Sequence, residues 1–265
     1  MDKGELMNQN SILEGFKQDN LNVLKSRKWR QNVGRYHKQY EKFLTRLYDY
    51  DCVYADDVIY GCGDMAIITA KDFANENGYK INEVKSLLVE LALAGAIQRV
   101  HLSDLSNSSK NALCRVKRGN RPAVYNKTYL LIDDFSKADW TRIRHWHYGS
   151  KPCYATVKAL YGTELADKVF VGIRNINKYR VVERYQRRFH DIVEQNKVCA
   201  VTTIIKKFSS YANCSERLLK EAIDGWVIEY GYFYARDNNN IKYVVKNKNT
   251  IRRSDNLRTV KKEIF

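Results

Sequence analysis

The chain has 265 residues, with 46 Lys and Arg against 30 Asp and Glu and a formal net charge of +16 at pH 7. Its 44% hydrophobic content can fill two modest cores rather than one large one, and the excess positive charge points to a polyanionic partner. No apolar run approaches the roughly 18 residues of a membrane span, and Met1-Asp2-Lys3-Gly4-Glu5 lacks the apolar core of a signal peptide, so the expected setting is the cytoplasm, away from membranes.

Residues 1–20 are polar and aperiodic and read as a loose arm. From Asn20 to Tyr48 a helical spacing emerges, with Tyr40, Phe43, Leu44 and Leu47 on one side and Lys38, Lys42 and Arg46 on the other. Residues 49–64, with five aspartates and two glycines, read as an irregular loop. A short apolar strand at Ala66-Ile67-Ile68-Thr69 then precedes a helix over Ala70–Asn77, capped by Thr69 and stopped by Gly78. Asn82 is placed to cap a second helix with the stripe Val84, Leu87, Leu88 and Leu91, which Gly95 ends. Two strands follow, 96–102 and 123–132, joined by a polar and then basic loop.

After a middle segment with a helix expected over 154–166, the order repeats. A basic helix spans 181–195, with Val182, Tyr185, Phe189, Ile192 and Val193 inward. The strand Val198-Cys199-Ala200-Val201-Thr202 leads to a helix over 204–211, capped by Thr202 or Thr203. Ser215 caps a second helix over 216–225 with Leu218, Leu219, Ala222 and Ile223 inward. Strands at 227–236 and 241–245 enclose the turn Asp237-Asn238-Asn239-Asn240, whose residues tolerate positive φ. The last 20 residues, with seven basic and two acidic groups, read as a flexible basic tail. None of the six cysteines forms a C-x-x-C pair, so neither a zinc knuckle nor a redox dithiol is visible, and Cys199 is expected in a core.

Strand, helix, turn, helix and hairpin, twice over, is the order of a winged helix-turn-helix. The expected fold is α+β and mainly helical, with two winged helix-turn-helix domains at 36–132 and 181–246. A helical linker (133–180) joins them, flanked by the arm (1–35) and the tail (247–265).

Double-stranded DNA is the partner this layout favours, and no cofactor is called for. Ser215, Arg217 and Lys220 on the second recognition helix, and Lys85 on the first, are the candidates for base edges. Phosphate contacts are expected from the first hairpin loop through Lys110, Arg115, Lys117, Arg118 and Arg121, which no acidic residue offsets. Arg184, Arg187, Arg188, Lys206, Lys207 and Lys242 are the phosphate candidates of the second copy. The first recognition helix also places Glu83, Ser86, Val89 and Glu90 outward, a face that suits protein as well as DNA.

The two modules resemble the tandem winged-helix replication initiators of plasmids and some phages. The resemblance covers roughly residues 36–246 and rests on the order of elements rather than on a signature motif. It implies binding to repeated origin sequences, recruitment of host replication proteins, and a monomer–dimer switch. Other DNA-binding roles with the same architecture are transcriptional repression and partition-site binding, and the acidic first helix would also suit an interaction adaptor. An enzymatic alternative rests on His145-Trp146-His147, which is similar to the metal-holding core of nicking and relaxing endonucleases, with Tyr154 as nucleophile. That family places its tyrosine farther on, with a lysine three residues after it. Here Lys158 follows Tyr154 by four, so the expectation is no enzyme. The chain has no G-x-x-x-x-G-K-[ST] phosphate loop.

Overall fold

The computed structural model describes residues 3–48, 52–57, 61–67, 70–100, 129–146, 152–170, 182–212, 214–252 and 257–259. The chain is mainly helical, with two antiparallel sheets, and divides into two compact units. The first comprises Met1–His147 and Lys168–Gly172, and the second Tyr148–Asp167 and Ile173–Phe265.

The first unit opens with three helices, α1 (Lys3–Lys25), α2 (Arg27–Val33) and α3 (His37–Tyr48). The segment expected as an arm is therefore helical from Lys3. Buried Leu24, Trp29 and Val33 anchor it, at a spacing too sparse to read as a stripe. Ser26 caps α2, its Oγ accepting from the Trp29 amide at 3.1 Å. Asn20 is buried and fully satisfied: Nδ2 donates to the Tyr48 hydroxyl (2.5 Å) and the Asp133 carbonyl (2.9 Å), and Oδ1 accepts from the Phe135 amide (2.8 Å). One side chain thus ties α1, α3 and the turn at 133–135 together.

The expected loop at 49–64 forms strands instead, β1 (Cys52–Asp57) paired with β2 (Gly61–Ile67), with Cys52 opposite Ala66. β1 lies at the sheet edge, where aspartates are tolerated because one side stays open to water. α4 (Ala70–Asn77) has the expected bounds, and Gly78 follows it at φ +68°. α5 (Ile81–Ala94) buries Val84, Leu87, Leu88 and Leu91, and ends at Gly95 with φ +80°. Its start is not capped by Asn82; Lys80 stands at the cap position, and its carbonyl accepts the Glu83 and Val84 amides. Phe43 of α3 packs on Phe73 of α4 and on Tyr79, at ring separations of 5.1 and 5.7 Å. β3 (Ile97–Val100) and β4 (Tyr129–Ile132) complete a sheet of order β1-β2-β4-β3, and α6 (Thr141–Trp146) follows. Thr69 and residues 101–128 lie outside the described residues.

In the second unit, the single helix expected over 154–166 is two, α7 (Tyr154–Tyr161) and α8 (Thr163–Val169), separated by Gly162 at φ +90°. The described part of the next basic helix is α9 (Gln186–Asn196), which buries Phe189 and Val193. β5 (Val198–Ala200) passes directly into α10 (Val201–Ala212), so neither Thr202 nor Thr203 is a cap. Val201, Ile204, Ile205 and Phe208 are buried at helical spacing, which carries the helix back to Val201. Cys199 is half-buried, its thiol directed at the Ile192 carbonyl.

α11 (Glu216–Glu229) continues past Gly225, where the sequence suggests a stop. Trp226 and Val227, expected on a strand, prolong the buried stripe of Leu219, Ala222 and Ile223. Gly225 serves close packing: a Cβ built there would lie 2.8 Å from the Ala155 Cβ and carbonyl oxygen of α7. β6 (Phe233–Arg236) and β7 (Lys242–Val245) form the hairpin. α12 (Lys248–Arg252) and β8 (Arg258–Thr259) belong to the fold where a loose tail is expected. Ile251 joins the Ala235 and Val245 core, and β8 pairs with β6. The sheet order is β5-β7-β6-β8.

Candidate nucleic-acid interface

Two stretches of the chain share one plan. In the first, α3, β2, α4, α5, β3 and β4 follow in order, and β4 sits between β2 and β3. In the second, α9, β5, α10, α11, β6 and β7 follow, and β7 sits between β5 and β6. In each, the helix pair is framed by a strand before it and a hairpin after it, and the second helix presents one side outward.

On α11 that side is cationic at its N-terminal end. Ser215 caps the helix, accepting from the Leu218 amide at 3.3 Å. The Arg217 side chain is 84% exposed and reaches Glu221 at 3.5 Å; that of Lys220 is 58% exposed and reaches Glu216 at 3.9 Å. Exposed pairs of this kind are worth about 0.3–0.5 kcal/mol, so both cations can exchange partners for a phosphate or a base edge at little cost. Lys206 and Lys207 are exposed on α10, as are Arg184, Arg187 and Arg188 around the start of α9. The first turn of α9 holds no acidic residue to offset its arginines.

Lys242 departs from expectation. Its ammonium reaches Asp224 at 3.3 Å and lies 3.5 Å from the centre of the Tyr234 ring, with the side chain only 34% exposed. Asp224 also accepts from the Tyr234 hydroxyl at 2.5 Å. Burial, then the Asp224 charge, drives the Tyr234 pKa well above its usual value, so the hydroxyl stays protonated and donating. Lys242, Tyr234 and Asp224 thus clasp the hairpin to α11, and Lys242 is committed to that clasp before any phosphate. Sequence reasoning missed Tyr234 and Asp224 because nothing local in the chain links a helix turn to a strand ten residues on.

The first copy is built differently. Lys85 is exposed on α5 as expected, but the carboxylates beside it are turned toward α3. Glu83 accepts from Gln39 at 3.2 Å, and Glu90 accepts from the buried Tyr40 hydroxyl and from Ser86 at 3.1 Å. Burial, reinforced by Glu90, pushes the Tyr40 pKa far up. Glu83 and Glu90, expected outward, are half-buried and anchor α5.

Lys110, Arg115, Lys117, Arg118 and Arg121 lie outside the described residues, as does His147. His145 falls in α6, a helix. Tyr154 is buried, its hydroxyl donating to Asp167 at 2.8 Å. No protein-family model, curated protein or solved structure matches this chain.

Proposed function

We propose that the chain is a sequence-specific double-stranded DNA-binding protein made of two winged helix-turn-helix modules, and that it initiates replication on a plasmid or phage. The observation that carries the DNA reading is α11: a Ser215-capped helix exposing Arg217 and Lys220, in a unit whose order of elements recurs in the other. Arg217 and Lys220 are the base-reading candidates, positioned near the helix N-terminus as groove-entering helices require. Arg184, Arg187, Arg188, Lys206 and Lys207 are the phosphate-holding candidates.

The initiator role is drawn from the architectural resemblance and carries with it host replication proteins and self-association as partners. Repression or partition would use the same interface on a different site. The adaptor reading loses its footing, since the carboxylates it relied on are occupied against α3. The deciding experiment is a nuclease footprint of the full chain on DNA flanking its gene. Protected direct repeats support initiation, one palindrome over a promoter supports repression, and no protection at low salt sinks the DNA reading.

A further inference from the structure

We propose that the turn between β6 and β7 enters the minor groove beside the segment read by α11, and that Ile241 wedges a base step there and bends the duplex. This rests on the duplex-binding reading.

The turn is braced well beyond what a four-residue connection requires. The Asn240 amide donates to the Asp237 carbonyl (3.0 Å) and the Asp237 amide to the Ile241 carbonyl (3.2 Å). The Asp237 carboxylate accepts from the Ile241 amide (2.8 Å) through one oxygen and from the Tyr243 hydroxyl (3.0 Å) through the other. Arg236 donates to both the carbonyl (3.1 Å) and the side-chain oxygen (2.8 Å) of Asn240, which sits at φ +63°. The only carboxylate of the turn is therefore engaged internally, and what projects is Asn238, Asn239 and Ile241. Ile241 is 39% exposed, one of two large apolar side chains so exposed among the described residues.

A single exposed isoleucine is too small for a protein interface, which needs about 800 Å² on each side. A rigid apolar point flanked by amides suits a narrow groove. Asparagine amides pair with the adenine N3 and thymine O2 acceptors of the minor-groove floor, where the guanine amino group would obstruct them. Isoleucine is among the side chains that unstack a base step from that side. The placement follows from the clasp on Asp224, one helical turn beyond Lys220. The hairpin is fixed to the reading helix through Tyr234 and Lys242, so a helix in the major groove brings the turn to the adjacent minor groove.

The test uses the full chain and a 30-bp duplex that it enriches from a random library, with dyes at the two ends reporting the bend. The wild type is expected to bend this duplex by about 20–90°. Ile241→Ala should straighten it and weaken binding by about tenfold or less, with unchanged circular dichroism. Replacing flanking A·T pairs by inosine·cytosine, which preserves the minor-groove face, should keep affinity, and G·C should lower it by about tenfold. Asn238→Ala with Asn239→Ala should erase that difference. A straight wild-type complex, a bend unchanged in Ile241→Ala, or indifference to flanking G·C overturns the proposal while leaving selection by α11 intact. Failure to enrich any duplex overturns both.

Discussion

Both units arrange a three-stranded set in which the last strand to be made lies in the middle, yet the fourth strand joins on opposite edges. β1 extends the first sheet beyond β2, ahead of the helix pair; β8 extends the second beyond β6, after the hairpin. The second helices of the two pairs differ as much. α5 spends Glu83 and Glu90 on α3 and leaves Lys85 outward, whereas α11 leaves Arg217 and Lys220 outward and spends Asp224 on its hairpin. The lesson is that the buried stripes, Val84-Leu87-Leu91 and Leu219-Ile223-Trp226, set a common frame. The polar residues between them decide separately what each frame offers to a ligand.

The largest effect that could break this contrast is electrostatic. Duplex affinity of the full chain should fall by about three to five decades between 50 and 200 mM salt. Arg184→Gln with Arg187→Gln should reduce the slope of log affinity against log salt by about two, and Lys242→Ala should leave it nearly unchanged because Asp224 already holds that charge. Equal slopes for all three proteins would dissolve the division between outward and clasped cations.

Next in size is the difference between the two helices. Arg217→Ala with Lys220→Ala should cost about a hundredfold in affinity for the enriched site, with the loss concentrated at particular base pairs. Lys85→Ala should cost no more than about threefold, spread over all sequences. Competition binding against single-base variants measures both, and a Lys85 effect as large as the other would make the two faces equivalent.

Packing comes third. Asn20→Ala removes three hydrogen bonds and strands buried partners, for about 2 kcal/mol. Gly225→Ala forces α11 away from Ala155, also for about 2 kcal/mol. Hydrogen exchange read peptide by peptide should show the first loss in the first unit and the second loss in the second. The smallest effect concerns Glu194, whose carboxyl is held below the usual range by the Lys246 ammonium and then by the Tyr232 hydroxyl. A depressed carboxyl stabilises above its unfolded pKa and loses that contribution as pH falls through the folded value. Acid titration of Lys246→Met, followed by circular dichroism, should therefore show a shallower decline at the acid end.

What the sequence disclosed was whatever a local apolar period encodes. α4, the Gly95 end of α5 and the buried faces of α3 and α9 follow from spacing alone. The hairpin turn follows from Asp237-Asn238-Asn239-Asn240. What stayed hidden depends on distant partners. α1 has too few buried residues to show a stripe, because much of its attachment runs through the polar Asn20. β1 looks like an acidic loop, because an edge strand needs only one partner. Gly225 reads as a helix stop, because the reason for a small residue there is Ala155, seventy positions earlier. Of the candidate interface, Ser215, Arg217 and Lys220 were legible as exposed positions on a capped helix. The clasp that commits Lys242 was not, since it joins a helix to a strand.

The division of the chain carries a consequence for how it is made. Residues Lys168–Gly172 belong to the first unit although Tyr148–Asp167 before them belong to the second, so the backbone passes between units at 147/148, 167/168 and 172/173. The first unit uses this return directly: the buried Phe170 belongs to it, and the Arg99 guanidinium donates to the Val169 carbonyl at 3.2 Å. A growing chain therefore cannot finish its first unit when residue 147 leaves the ribosome. It must wait for about 25 more residues, by which time the opening of the second unit, α7 included, has also emerged. Synthesis thus interleaves the two units, and a fragment ending at 147 lacks a piece of its own fold.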